Sequence, residues 1–406
     1  MRNFSNSHCK SGLLSLLAGF WLFGCVQLAV AADDVLEVPV LYVSREEDEQ
    51  EPLSLLDILP ENNGLAGAEL GLNDNQTTGD FLGHKYSLDS LIVGIDDNLA
   101  DKVQSRVNKK STLIVADLNA ADLTELADSL GSALLLNIRA TDTRLREADC
   151  RANVLHIAPS RAMLADALIQ YLAWKRWDKL VLVTGRHEND ALYAQALERS
   201  VERFGLKMVE RKNWTSVPGA RRTDSGHHSL QQEVPVFSRF KSHDLVLVAD
   251  ETDEFGEYFA YRMTDPRPVA GTQGLIASAW HRTQEQWGAT QIQRRFEKLA
   301  SRQMTARDYG AWAALRSIAE AVTQTSTSDV ETVRSYLLSD RFNLAGFKGV
   351  PLTFRKWNGQ LRQPVLIVAP RMLVSVSPQN GFLHQVTELD TLGVDQPESA
   401  CEQFVQ

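Results

Sequence analysis

Cysteine is scarce in this sequence, long apolar runs are confined to one end, and the common phosphate- and metal-binding signatures are missing. Four cysteines among 406 residues are too few for a small disulfide-stapled scaffold. Beyond the first 31 residues no segment approaches the roughly 18 consecutive apolar residues of a membrane span, so the remainder reads as a soluble chain. No basic run exceeds two or three residues, and 42 Lys and Arg face 52 Asp and Glu for a net charge of −10. That balance excludes an electrostatic grip on nucleic acid. No G-x-G-x-x-G follows the first strand, and G-x-x-x-x-G-K, H-E-x-x-H and G-x-S-x-G are all absent. Dinucleotide, P-loop, zinc-protease and nucleophile-elbow chemistries therefore have no anchor. No acid–base or nucleophile constellation replaces them, so the sequence reads as a binding protein with no catalytic residue, metal or cofactor. No repeat of 20–50 residues is present.

What is there begins with an export signal. Arg2 and Lys10 precede an apolar run over 13–25, and Ala29-Val30-Ala31 supplies small residues at the −3 and −1 positions of a cleavage site. This is the order of a secretory signal peptide over 1–31, with a periplasmic destination. Leu22-Phe23-Gly24-Cys25 offers a competing reading as a lipoprotein anchor at Cys25. Removing 1–31 takes away two basic residues and no acidic one, moving the charge from −10 to −12. Cys150 and Cys401 remain. In an oxidising compartment the simplest expectation is one disulfide between them, closing a loop of about 250 residues. Two free thiols are the alternative, and a metal site lacks the further ligands it needs.

The remaining chain alternates short apolar strands with amphipathic helices. Strands are expected over 35–42, 90–94, 112–116, 133–138 and 154–157, and helices over 64–74, 98–107, 121–130 and 161–174. The rhythm repeats with strands over 180–184, 206–210, 244–250 and 268–276 and helices over 190–204 and 256–263, around a polar stretch at 215–232. Apolar runs of this length between helices of 10–15 residues point to parallel sheets built of βαβ units. The expected class is α/β with two Rossmann-like lobes. The last third departs from the rhythm, with helices over 306–323 and 330–338. Strands over 351–356 and 365–369 follow, joined as a hairpin around Asn358-Gly359. From Pro378 onward the tail is polar and is expected to be held by Cys401 alone.

In open α/β sheets ligands meet the loops at the carboxyl ends of the strands. Those loops carry Arg45, Glu46, Asp117, Asn137, Arg139, Thr141, Arg186, Asp250, Trp280 and His281, the candidate ligand-binding set. Hydroxyls, amides, a few charges and one indole suit a small polar ligand. Arg139 could grip a carboxylate through two hydrogen bonds. For each residue alone, packing or solvation explains it as well. His227-His228 reads as part of a solvated loop. The acids at 250–253 read as caps on backbone N–H groups at a helix start, with cation binding the alternative.

Four stretches then carry a resemblance. GLAGAELGLNDNQTTGDFLGHKY (64–86), HIAPSRAMLADALIQYLAWKRWDKLVLVTG (156–185), RDYGAWAALRSIAEAV (307–322) and GFKGVPLTFRKWNGQLRQPVLIV (346–368) resemble, in order, the type 1 periplasmic binding proteins of the branched-chain amino-acid receptor branch. LREADCRANVLHIAPSRAMLADAL and TLGVDQPESAC resemble more closely the substrate-binding proteins associated with pyrroloquinoline quinone-dependent alcohol catabolism. The resemblance implies crossovers near 157–160, 278–284 and 344–352. It divides the chain into a first lobe of 32–157 plus 283–346, a second of 158–282 plus 347–375, and a disulfide-pinned tail of 376–406. It further implies a small-molecule ligand, an ABC permease in the inner membrane as partner, and a link to a quinone-dependent dehydrogenase system. The alternative is a non-transport sensor or an accessory protein docking onto such a dehydrogenase. Where the amino-acid receptors present Ser, Ala and Thr to the ligand, this chain has Asn137-Ile138-Arg139-Ala140-Thr141, and its first loop, SREEDEQE, is acidic. Both departures point away from an unmodified amino acid.

Overall fold

A run such as PVLYV, apolar on both faces, is stable only when helices cover both sides of its sheet. The computed structural model, which describes residues 35–47, 60–107, 112–216 and 224–404, places that run in β1 (Leu36–Arg45). The expected signal peptide, Cys25 and the end of the acidic loop at 48–51 lie outside the described residues. After β1 come α1 (Leu65–Leu82), β2 (His84–Val93), α2 (Leu99–Arg106), β3 (Leu113–Asp117), α3 (Ala120–Ser129), β4 (Leu134–Asn137) and β5 (Val154–His156). The five strands form a parallel sheet in the order β2-β1-β3-β4-β5.

The second lobe is built from α4 (Arg161–Lys175), β6 (Lys179–Thr184), α5 (Glu188–Arg203), β7 (Lys207–Asn213), α6 (Asp224–Phe237), β8 (Leu245–Ala249), α7 (Phe259–Arg262), β9 (Val269–Gly271) and β10 (Leu275–Ser278). The chain then returns to the first lobe with α8 (Ala289–Ala300), α9 (Ala306–Thr325), α10 (Val330–Leu337) and a small antiparallel sheet of β11 (Leu344–Ala345), β12 (Pro351–Phe354) and β13 (Leu361–Arg362). It crosses once more to add β14 (Val365–Ala369) and β15 (Met372–Ser377) antiparallel to the second sheet, whose order is β15-β14-β10-β9-β8-β6-β7. Each large sheet separates two cores. Val38, Val40, Leu136 and Trp312 share one in the first lobe, and Leu41, Ile114 and Leu126 the other. In the second lobe, Leu180, Leu245 and Leu168 lie on one side and Val181, Val246 and Trp214 on the other. Each such wholly buried aliphatic side chain contributes about 1.5–3 kcal/mol.

Helix α9 lies against α1 so closely that a Cβ at Gly67 would fall 1.9 Å from the carbonyl oxygen of Asp308, and one at Gly71 2.7 Å from Leu315. Only glycine at 67 permits that approach. The expected helix over 64–74 extends to Leu82 because its second half, polar in sequence, turns its polar side to solvent. Strand β2 starts six residues before the expected 90, an edge strand whose alternation leaves Lys85, Ser87 and Asp89 outside. Helix α8, absent from the sequence expectations, buries Ala289, Ile292 and Phe296 at helical spacing. His227 and His228 lie in α6 rather than in a loop; their side chains are outside the described residues.

Two corrections concern the last third. The hairpin at Asn358-Gly359 joins β12 to β13, not to β14, and Leu352, Phe354 and Leu361 pack in the first lobe's core. The third crossover therefore falls at Gln363-Pro364 instead of 344–352. Proline cannot donate to a continuing ladder, and the chain leaves the small sheet there. The tail, for its part, is held by far more than a cysteine. Leu392 is buried in the second lobe's core, Asp166 accepts from Gly393 N at 2.7 Å, and Gln170 donates to Thr391 Oγ1 at 2.9 Å. Asp390, fully buried, receives Arg355 and Arg362 at 2.9 and 2.8 Å. The tail then passes to the first lobe, where Cys401 is bonded to Cys150 and Phe404 joins the core. Among the described residues no helix is long and apolar enough to cross a membrane.

Candidate functional site

The register fixes where the strands end. Ser44 lies beside Asp117, and Ala116 beside Asn137, so the carboxyl ends of β1, β3 and β4 form one edge. In the second lobe Thr184 lies beside Ala249, aligning the ends of β6 and β8. The two edges meet at Arg161. Its backbone N–H donates to Thr141 O at 2.7 Å, and its guanidinium lies 3.0 Å from Asp142 Oδ2 in the first lobe. The same guanidinium donates to Glu251 Oε1 and Oε2 at 2.9 and 2.6 Å and to Asn189 Oδ1 at 3.2 Å in the second. Arg161 was not among the sequence candidates, though a signal existed. A basic residue at the first position of a helix opposes the helix dipole, and needs acidic partners to stand there.

Every candidate arginine is paired within its own lobe. Arg45 binds Asp122 at 2.5 Å and the carbonyl of Asp97 at 2.6 Å. Arg139 pairs with Glu47. Arg186 donates to both oxygens of Glu254 at 2.9 and 2.8 Å, and His187 Nε2 lies 3.0 Å from the same carboxylate. The Arg186 hydrogen bonds, with His187 adding to them against the cost of burial, hold Glu254 down at about 2. A carboxylate with a depressed folded pKa stabilises the protein above its ordinary value near 4.5, and that contribution is lost as pH falls toward 2. Glu254→Gln should be less stable than the parent at neutral pH, and the gap should close between about pH 4.5 and 2. Denaturant midpoints of the two proteins, measured across that window, check it; a gap independent of pH contradicts it.

Asp117 is buried at the end of β3 and accepts the Tyr42 hydroxyl at 2.6 Å, with Arg307 Nε 3.5 Å from its other oxygen. Burial pushes its carboxyl up, opposed by Arg307 and the Tyr42 hydrogen bond. Asn137 shapes its own loop: its amide donates to Ala140 O at 2.8 Å while its oxygen accepts from Arg139 N and Ala140 N. Asp250 receives the N–H groups of Glu254, Phe255 and Gly256 at 2.9, 2.8 and 2.7 Å, the helix-start cap expected of an acid there. The Glu46 side chain is exposed, while its N–H donates to Val93 O. His281 Nδ1 lies 2.8 Å from Thr283 Oγ1, its pKa lowered first by burial and then by Arg282.

The hinge side of the site is a buried polar stack. Trp280, 2% exposed, lies flat on Tyr309 with centroids 4.5 Å apart. Lys348 Nζ sits 4.8 Å over the same Tyr309 ring and donates to Gln363 Oε1 and Pro364 O at 2.6 and 3.0 Å. Burial holds its pKa well below the ordinary value. Trp280 of the second crossover is thus stacked on α9, and Lys348 joins that stack to Gln363 and Pro364 of the third. At the first crossover, Arg146, 2% exposed, donates to Gln360 Oε1, Ala140 O, Asp142 O and Ala158 O, all at 2.8–3.0 Å. It ties the candidate loop after β4 to two crossovers.

Solved structures with the same arrangement exist. The chain has the type 1 periplasmic binding protein fold. A branched-chain amino-acid ABC transporter periplasmic ligand-binding protein from Burkholderia xenovorans superposes with a TM-score of 0.68 at 13% identity, over 90% of this chain and 100% of that one. A periplasmic binding protein from Burkholderia mallei gives 0.65 at 12%, over 91% and 99%. A branched-chain amino-acid transporter substrate-binding protein from Streptococcus pneumoniae, in complex with isoleucine, gives 0.61 at 12%, over 84% and 98%. No family model matches the sequence, and no curated protein is similar to it. Arg45, Asp117, Arg139 and Thr141 stand at or just beyond the strand ends of the first lobe, and Arg186, Asp250 and Glu251 just beyond those of the second.

Proposed function

We propose that this chain is an exported, periplasmic solute-binding component of an ABC transporter, taking a small polar ligand between the lobes. The observation that supports it best is the two-lobed α/β architecture with three crossovers, whose strand-end edges meet at one bridging arginine. Arg139, at the end of β4, is the proposed carboxylate anchor, with Glu47 holding its guanidinium until an incoming acid replaces it. Arg45, Glu46, Asp117, Asn137, Thr141, Arg186, Asp250, Trp280 and His281 complete the proposed lining. The segments over 145–168 and 391–401 carry the further proposal that the ligand belongs to pyrroloquinoline quinone-dependent alcohol oxidation: an alcohol-derived acid, an aldehyde or the quinone. One observation favours a second reading, a sensor or accessory protein of a quinoprotein dehydrogenase: each candidate arginine already has an acidic partner.

A thermal-shift panel of amino acids, short-chain alcohols, aldehydes, acids and the quinone separates the two. A ligand at 100 times its dissociation constant adds about 2.7 kcal/mol, a rise of a few degrees for a chain this long. The expected result is a specific rise that Arg139→Ala abolishes. No rise across the panel, with an intact folded protein, favours the accessory reading.

A further inference from the structure

The carboxyl end of α4 carries a patch that the cleft does not use. Trp174 is 55% exposed. Tyr171 stacks on it at 6.1 Å and meets Trp177 edge-on at 6.4 Å. Lys175 Nζ lies 5.7 Å from the centroids of both indoles. Arg176 follows in a left-handed cap, Lys179 opens β6, and the strand register sets Lys207 directly beside Lys179. All four cations are exposed, and among the described residues none of them forms an ion pair. Elsewhere on this chain arginine after arginine is matched to an acid. The acids on the same surface do not neutralise the cluster. Asp244, which accepts the N–H groups of Asp178 and Lys179 at 3.1 and 2.9 Å, and Asp178 keep their charges, but they are two against four cations.

We infer that Trp174, Lys175, Arg176, Trp177, Lys179 and Lys207 form a docking surface for an anionic lipid bilayer. Indole rings settle at the headgroup level of a membrane, where their apolar body and N–H are both accommodated. Adjacent lysine and arginine side chains then meet the negative surface potential of acidic lipids. The chain as a whole repels such a surface, with its net charge of −10. General electrostatic attraction is therefore excluded, and only a local patch can produce binding. The patch stands at the amino ends of β6 and β7, the pole of the second lobe opposite the strand ends that hold the candidate site. Docking there leaves the cleft open, so the inference goes beyond the proposed ligand function and does not depend on it.

The test is vesicle flotation of the chain from Ala32 onward; residues Val35–Gln406 form one compact unit. Phosphatidylcholine vesicles are compared with vesicles containing about one third phosphatidylglycerol. The expected result is binding to the anionic vesicles alone, lost at high salt, and weakened more than about tenfold by the double variant Lys175→Glu, Arg176→Glu. Lys179→Glu with Lys207→Glu, placed on different elements, should weaken it similarly, and unchanged melting curves show that both variants fold. Equal binding to both vesicle types, no binding, or binding indifferent to both double variants overturns the inference. So does binding that appears only when a membrane protein is reconstituted with the lipid, which makes the patch a protein interface.

Discussion

Replacing Cys401 with serine, or reducing the protein, is expected to lower the free energy of unfolding by about 4–5 kcal/mol. The disulfide to Cys150 spans a sequence separation of 251, and in the chain-entropy account a closed loop of that length strongly restricts the unfolded chain. Cys401 and Cys150 are both buried, so the folded state gains little from the free thiols. Because the effect acts on the unfolded ensemble, the denaturant dependence should steepen as well, since a linear chain exposes more surface on unfolding. Guanidinium titrations with and without reductant measure both quantities. Cys150→Ser should match Cys401→Ser, and the double variant should be no worse than either single one. A loss below about 1 kcal/mol would show that the tail's other anchors, Asp390 and Gly393, already restrain the chain in its unfolded state.

Arg146→Leu is the second large effect, an expected loss of about 3–5 kcal/mol. Its guanidinium is buried without a carboxylate: all four of its acceptors are carbonyl or amide oxygens. Burial pushes its pKa down to about 9, which leaves it charged at neutral pH. Leucine fills much of the volume but strands those oxygens in a site that water does not reach, each at a desolvation cost. Two of them belong to the loop after β4, so the damage extends to Arg139. The expected signature is a lowered unfolding midpoint together with weakened ligand response, whereas Arg139→Ala should remove the response and leave the midpoint nearly unchanged. If Arg146→Leu unfolds normally, the crossovers are fixed by the backbone alone.

His156 belongs to the same cluster. It accepts from Asn137 at Nδ1, 3.0 Å away, and donates from Nε2 to Leu145 O at 3.1 Å, a pattern that requires the neutral ring. Burial, then the charge of Arg146, holds its pKa well below the ordinary value.

The fold was legible because its strands are short, apolar and separated by helices of regular period. What misled was local. Asn358-Gly359 announced a hairpin, but β13 ends at Arg362, and Gln363-Pro364 carries the chain to the other lobe before β14 begins. Nothing in the turn itself marks that. The site was legible only by position. Strand ends named Arg45, Arg139 and Arg186, yet their partners lie 77, 92 and 68 residues away, and charge pairing at such separations is set by tertiary folding. With 52 acidic residues, composition offers too many acids to choose among. Arg161 was hidden for the opposite reason: it opens an obvious helix, and its helical context drew attention from its charge. Arg146, in a short turn rich in arginine, carried no signal that it alone would be buried.

The bond between Cys150 and Cys401 also changes what kind of object the molecule is. Covalently it is a large ring with two free ends, and nearly all of the second lobe lies within the ring. A protease that cuts once anywhere between those two cysteines opens the ring but releases nothing. The cut protein keeps its mass, its sheets and both of its halves, and the break stays silent until a reductant lets the pieces part.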